Sequence, residues 1–108
     1  MRLMSIAAGL LFSMSAVAGA GWSGPRAILG VEVSSVAIEI RLAGSGVGCT
    51  AMNEGGVQKT WTKIDVGQAN EKGLLAVLMM AFAAGKEISV HCASASDWTQ
   101  MDRIIVSP

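Results

Sequence analysis

The first twenty residues have the pattern of a secretory signal peptide, and this pattern limits what the rest of the chain can be. Arg2 gives a short positive start, residues 3–17 form an apolar core, and Ala18-Gly19-Ala20 matches a small-residue cleavage site. The apolar core is shorter than the roughly 20 residues that a membrane-spanning helix needs. We therefore predict that residues 1–20 are removed and that residues 21–108 fold as one small exported domain, periplasmic or extracellular.

The domain 21–108 has a nearly balanced charge. Removing Arg2 leaves seven basic against eight acidic side chains, a formal net charge of −1. Nucleic acids and anionic membrane surfaces are bound by clustered Lys and Arg, and the sequence has no such run. The composition therefore argues against a nucleic-acid partner and against stable membrane insertion after cleavage.

Cys49 and Cys92 are the only cysteines. An exported chain meets an oxidising compartment, where an isolated pair favours a disulfide. That bond would close a loop of about 44 residues and contribute roughly 4 kcal/mol in the chain-entropy model. Structural zinc needs four Cys or His ligands, and His91 is the only histidine. We expect a Cys49–Cys92 disulfide, with no metal and no cofactor.

Alternating apolar residues predict a β-hairpin near the start of the domain. Two alternating runs flank Ser34-Ser35: Leu29, Val31 and Val33 before it, and Val36, Ile38, Ile40 and Leu42 after it. A two-residue turn at the serines would pair residue 33 with 36, 31 with 38 and 29 with 40, which places these side chains on one face. One long strand with a bulge at the serines is the alternative.

One helix and further strands follow the hairpin. Asn70 as N-cap, Gly85 as the C′ residue and apolar residues at helical spacing predict a helix over 71–84. Met79 and Met80 widen its apolar stripe and are expected in the core. The remaining apolar segments predict strands at 49–52, 57–65, 88–92 and 103–106. This order indicates an α+β fold, with five to six strands in a small antiparallel sheet or barrel.

The second half of the domain carries a wider pattern. A helix leads into Ala-Gly-Lys-Glu-Ile-Ser-Val-His-Cys (84–92), then a polar loop with Trp98, then Asp-Arg-Ile-Ile-Val (102–106). Over about residues 68–106 this order resembles the B subunits of bacterial toxins of the cholera and subtilase cytotoxin type, and also small uncharacterised secreted bacterial proteins. The resemblance implies an exported OB-like barrel. It carries over no sugar-contacting residue, and Cys49 follows the first hairpin, whereas the first cysteine of the cholera type lies near the mature N-terminus.

The polar loop 93–102 provides the candidate binding residues Trp98, Asp97, Thr99 and Gln100. An exposed indole stacks on sugar C–H groups or on peptide, and the polar neighbours fix the orientation of the ligand. The alternative is that Trp98 folds back as a lid on the small core. Trp61 lies between threonines and is expected to be buried.

The candidate catalytic residues do not form a set. His91 and Cys92 are adjacent on a strand and point to opposite faces, so we expect a solvent-facing histidine. A polar loop explains Asp97 and Asp102, and the glycines of 44–48 lack the lysine and helix of a phosphate-binding loop. The sequence therefore predicts a non-catalytic exported binding module for a glycan or a protein. Its helix, apolar nearly all round, favours a homo-oligomer; the alternative is a monomeric periplasmic accessory or inhibitor protein acting through a loop.

Overall fold

A computed structural model describes residues 21–46, 48–93 and 99–108. The predicted signal peptide, residues 1–20, lies outside the described residues. Two antiparallel sheets, with strand orders β1-β6-β7 and β2-β3-β5-β4, and one α-helix form an α+β domain, which confirms the predicted fold class. The elements in chain order are β1 (Gly21–Trp22), β2 (Ile28–Val33), β3 (Ala37–Leu42), a 3₁₀ turn (Gly48–Thr50), β4 (Ala51–Glu54), β5 (Val57–Asp65), α1 (Glu71–Ala84), β6 (Ile88–Cys92) and β7 (Met101–Val106).

The predicted hairpin is present as β2 and β3, but its register differs by two residues. Val33 pairs with Ile38, and Val31 pairs with Ile40. The Ser34 hydroxyl fixes this register, since it accepts a hydrogen bond from the Ala37 N–H at 3.2 Å, the local side-chain-to-backbone bond that serine often forms. A shift of two residues keeps each side chain on its predicted face.

A bulge in β2 changes which of its residues face the core. Ile28 pairs with Leu42 and Gly30 with Arg41, so one residue of β2 has no partner between them. Such an extra residue reverses the alternation of faces. Ile28 packs against the core, whereas Leu29, which the sequence predicted to face inward, is 54% exposed.

Valines at the end of the hairpin are also outside the core. Val33 and Val36 are each 70% exposed, although the alternation predicted both on the inner face. Val36 lies in the turn rather than in β3, and Val33 lies at the last position of the edge strand β2. Neither position has a facing layer that would cover the side chain.

The two sheets meet along a shared core. Isolated bridges join Arg26 to Ile88 and Lys63 to Gln100. The barrel form of the fold prediction requires continuous ladders at both places and is not shown by the described part of the chain. The buried cluster draws on both sheets and on the helix: Ile38, Ile40, Leu42, Cys49, Ile64, Leu74, Leu78, Ala81, Ile88, Val90, Cys92 and Met101.

The disulfide lies inside this core. Cys49 and Cys92 are bonded, with their Cα atoms 5.4 Å apart, and both side chains are at most 1% exposed. The bond joins the 3₁₀ turn to the end of β6, which confirms the predicted pairing. The segment predicted as a strand at 49–52 is this turn followed by β4.

The helix α1 has the predicted bounds, but the predicted side-chain cap at its N-terminus is not formed. Gly85 has φ +68°, and its N–H donates to the Phe82 carbonyl at 3.2 Å, so the expected left-handed C-terminal glycine is confirmed. Asn70 makes no side-chain cap. Its amide nitrogen instead donates to the Asp102 carbonyl at 2.8 Å, which turns the side chain away from the helix.

The methionines of α1 are not in the core. Leu74, Leu78 and Ala81 are its buried residues, whereas Met79 and Met80 are 43% and 57% exposed. A helix that packs on one layer can bury only one stripe, so the prediction that these methionines are core residues was wrong. Within the described residues, no helix has the length and apolar character needed to cross a membrane.

Candidate functional site

The four loop residues predicted to bind a ligand fall in different environments. Asp97 and Trp98 lie outside the described residues, and their role stays a prediction. Thr99 is 5% exposed, and its hydroxyl donates to the Cys49 carbonyl at 3.4 Å. The Thr99 side chain thus lies in the interior, and its contact with a ligand stays a prediction. Gln100 is exposed and, of the two described residues, is the one on the surface.

His91 is part of a hydrogen-bonded pair that the sequence did not predict. Its Nδ1 lies 2.7 Å from a carboxylate oxygen of Asp102. The expectation of a solvent-facing histidine was wrong, because the His91 side chain is only 18% exposed. In the β6–β7 ladder His91 pairs with Arg103 and Cys92 with Met101, so Asp102 is the extra residue of a bulge, which directs its carboxylate to the imidazole.

The Trp22 side chain, on the neighbouring strand β1, lies against the His91 ring. Trp22 pairs with His91 in the β1–β6 ladder, and their ring centroids are 5.1 Å apart with planes tilted by 59°. Partners directly opposite in an antiparallel ladder share a face, so Trp22, His91 and Arg103 form one row across the three strands of this sheet. Trp22 remains 41% exposed.

Side chains of the segment before α1 are hydrogen-bonded to the backbone of the edge strand β7. The Gln68 side-chain amide donates to the Met101 carbonyl at 3.1 Å, and its oxygen accepts from Gln100 at 2.6 Å. Asn70 donates to the Asp102 carbonyl. Side-chain amides thus bind backbone groups that an edge strand would otherwise leave open, and they fix the position of β7 against the helix.

A groove of about 510 Å³ lies between α1 and β7. Gly73 adds no side chain at this face, which leaves space beside the helix. The lining is largely apolar. Its apolar residues are Trp22, Gly73, Leu74, Val77, Ile104 and Ile105, and its two polar residues are Asn70 and Arg103. The groove adjoins the row of Trp22, His91 and Arg103, so an apolar concavity and a polar edge lie side by side.

The pairing of His91 with Asp102 bears on the chemistry that this site could perform. An Asp carboxylate beside a His imidazole orients the ring in many hydrolases, but that role needs a nucleophile within hydrogen-bonding reach of the histidine. Among the described residues His91 is hydrogen-bonded to Asp102 and to no hydroxyl or thiol. Nor do three or more His, Cys, Asp or Glu side chains lie together in the described ranges in a way that could hold a metal ion.

Comparison with protein-family models, with curated proteins and with solved structures finds no match for this chain. The residues that form the groove come from the start of the domain, the helix and the last strand. Sequence reasoning singled out the 93–102 loop because of its polar residues and Trp98, and it assigned no role to Trp22. The available signal was a tryptophan next to the predicted cleavage site, in a domain with few other aromatics.

Proposed function

We propose that this chain is an exported, non-catalytic binding module and that the groove between α1 and β7 is its binding surface. The observation that carries the proposal is a half-exposed Trp22 beside Val77 and Ile105 in one apolar concavity. Tryptophan and aliphatic side chains held on a fixed frame provide large contact areas at low cost in side-chain entropy. The hydrogen bonds from Gln68 and Asn70 to β7 provide that frame.

The lining favours a protein segment over a glycan as the occupant of the groove. A sugar presents many hydroxyl groups, which need polar partners in the site, and only Asn70 and Arg103 offer them here. Among the described residues Arg103 has no carboxylate within ion-pairing distance. We therefore expect a segment with an apolar anchor that enters the groove and an acidic residue next to it.

Export is supported by the leader pattern and by the disulfide. A domain of about 88 residues has a small core, and buried disulfides are typical of small domains from oxidising compartments. Because both cysteines are buried in this core, the bond is part of the structure rather than a reactive surface group. A periplasmic or extracellular location fits this arrangement.

The outer surface of α1 supports association of copies. From residue 74 to residue 84 the helix has no polar or charged side chain, although Met79, Met80 and Phe82 are exposed. Exposed apolar patches of this kind mark interaction surfaces, and an uncharged patch can face its own copy without like-charge repulsion. We expect light scattering after gel filtration to give a wild-type mass several times that of one chain. Met80→Glu should give the mass of a monomer, and Met80→Leu should give the wild-type mass. A wild-type monomer would contradict self-association.

The groove is tested with a phage-displayed library of random heptapeptides, selected on the disulfide-bonded exported chain. Selected peptides should share an apolar residue next to an acidic one. Val77→Glu, which places a charge in the groove, should weaken their binding at least about tenfold. Val57→Glu is the matched control, since Val57 is 55% exposed on the other sheet, and it should change binding less than about twofold. Thermal melts confirm that both variants are folded.

Two results of this experiment would overturn the groove as a protein-binding surface. One is that no peptide is selected. The other is that the selected peptides bind Val77→Glu as tightly as wild type. In either case a glycan array tests sugars as the ligand. If a glycan binds to wild type and does not bind to Val77→Glu, the groove is a sugar-binding site instead.

A further inference from the structure

The four-stranded sheet carries a second candidate site on the face away from the core. Its centre is a row of three directly paired residues, in which Gly30 faces Arg41 and Arg41 faces Trp61. The guanidinium carbon of Arg41 lies 5.7 Å from the Trp61 ring centroid, within the range of a cation–π contact. Trp61, which the sequence predicted to be buried, is half-buried, because it lies on this outer face.

Gly30 leaves the space that the Arg41 side chain occupies. A Cβ at Gly30 would lie 3.2 Å from a terminal nitrogen of the Arg41 guanidinium, closer than an ordinary van der Waals contact. The missing side chain on the edge strand therefore lets the guanidinium lie across β2. A glycine in a strand interior often marks such a close approach.

Arg41 and Trp61 border two hollows with opposite charge. The smaller one, about 140 Å³, is also lined by the carboxylates Glu32 and Glu39. The larger one, about 390 Å³, has no carboxylate among its described lining residues. Its other lining residues are Leu29, Leu42, Gly44, Val57, Lys59 and Thr60. An anion would be repelled from the smaller hollow and attracted to the larger one, where Arg41 and Lys59 are both present.

The Arg41 charge is available for a ligand. Among the described residues the ion pairs are Lys63 with Asp65 at 3.3 Å and His91 with Asp102. No ion pair to Arg41 occurs in this set, and Arg41 is an exposed residue. A planar guanidinium binds a carboxylate through two parallel hydrogen bonds.

We propose that the larger hollow binds a sugar that carries a carboxylate, such as a uronic acid. Arg41 and Lys59 pair with the carboxylate, and the Trp61 indole packs against the C–H face of the sugar ring. Leu29 and Val57 contact the apolar part of the ring. This site is distinct from the groove between α1 and β7, so the inference does not rest on the protein-binding function proposed there.

An acidic sugar fits this hollow better than an acidic peptide. In a uronic acid the carboxylate is attached directly to a ring that has a flat C–H face, so the guanidinium and the indole can be contacted together. The carboxylate of Asp or Glu is at the end of a flexible chain that has no such face. A peptide would therefore use the charge of Arg41 and gain little from the Trp61 ring.

The experiment measures binding of trigalacturonate to the disulfide-bonded chain by titration calorimetry, with maltotriose as the neutral sugar and triglutamate as the acidic peptide. Trigalacturonate should bind at least about tenfold more tightly than either control. Arg41→Gln should weaken its binding at least about tenfold. Lys72→Gln, which removes the same charge from the exposed side of α1, should change it less than about twofold.

A second variant tests the site without altering Arg41. Val57→Glu adds a carboxylate at an exposed position of the hollow and should weaken trigalacturonate binding at least about tenfold, whereas Val77→Glu in the groove should leave it unchanged. The proposal is wrong if trigalacturonate does not bind at concentrations up to about 10 mM, if triglutamate binds as tightly, or if Lys72→Gln has the effect of Arg41→Gln. Because Val57→Glu and Val77→Glu act on different sites, failure of one proposal leaves the other testable.

Discussion

Removing the Cys49–Cys92 disulfide should lower the free energy of unfolding by about 4 kcal/mol, because the bond closes a loop of about 44 residues in the unfolded chain. Natural domains are stable by only about 5–15 kcal/mol, and a domain of this size lies toward the lower end of that range. The reduced protein therefore retains a small fraction of the original stability. We expect its melting temperature to fall by roughly 15–30 °C.

The measurement compares wild type with the double variant Cys49→Ala/Cys92→Ala in urea titrations. Replacing both residues avoids an unpaired thiol, and alanine fits the buried positions without introducing a polar group. Ser45→Ala, at an exposed position shortly before Cys49, is the control and should shift stability by less than about 0.5 kcal/mol. A loss of under about 1 kcal/mol in the double variant would show that the bond adds little beyond the core.

The position of the disulfide is a second reason to expect that this domain depends on it. The two sheets share a core, but their backbones are joined by isolated bridges at Arg26–Ile88 and Lys63–Gln100. Cys49 belongs to the turn that leads into β4, and Cys92 ends β6 in the other sheet. The covalent bond thus crosses between the sheets where few backbone hydrogen bonds do. We expect the reduced chain to lose the docking of the two sheets before it loses either hairpin.

Features with a local cause were predictable from the sequence. The helix bounds follow from the polar segment before Glu71 and from Gly85, whose left-handed conformation ends the helix. The strand Val57–Asp65 follows from its β-branched and aromatic residues. The disulfide follows from a cysteine count of two in a chain with a leader. None of these predictions needs the position of another element.

Features that depend on alignment between strands were not predictable. The hairpin register is set by the hydrogen bond that the Ser34 hydroxyl accepts from the next strand, and the bulge between Ile28 and Gly30 exchanges the roles of Ile28 and Leu29. Apolar alternation fits both registers, because a shift of two residues changes no face. Only the tertiary structure shows which of these side chains faces the core.

The candidate site escaped prediction for the same reason. The row of Trp22, His91 and Arg103 requires three strands in one register, and the contact of His91 with Asp102 requires an extra residue in β7. No spacing in the sequence brings residue 22 beside residue 91. Sequence reasoning found the loop 93–102 from its polar composition, but it could not bring the start of the domain beside β6.

Leu78 and Leu29 were both predicted to face the core, but truncation of each to alanine should change the free energy of unfolding by very different amounts. Leu78 lies in the middle of α1, is completely buried, and packs in the cluster that both sheets share. Leu78→Ala removes these contacts and leaves a cavity, so we expect a loss of about 3–5 kcal/mol. Leu29→Ala, at the bulge of β2, removes a side chain that is 54% exposed and should cost less than about 1 kcal/mol.

Urea titrations of Leu78→Ala and Leu29→Ala, at one protein concentration and with the disulfide intact, give the two changes directly. The comparison is controlled for chemistry, since both variants delete the same atoms. Alanine is also the best helix former, so any loss at Leu78 comes from packing and not from helix propensity. Equal losses of stability at the two positions would mean that Leu29 is buried in solution. The bulge between Ile28 and Gly30 would then be absent, and residues 29–33 would follow the simple alternation predicted from the sequence.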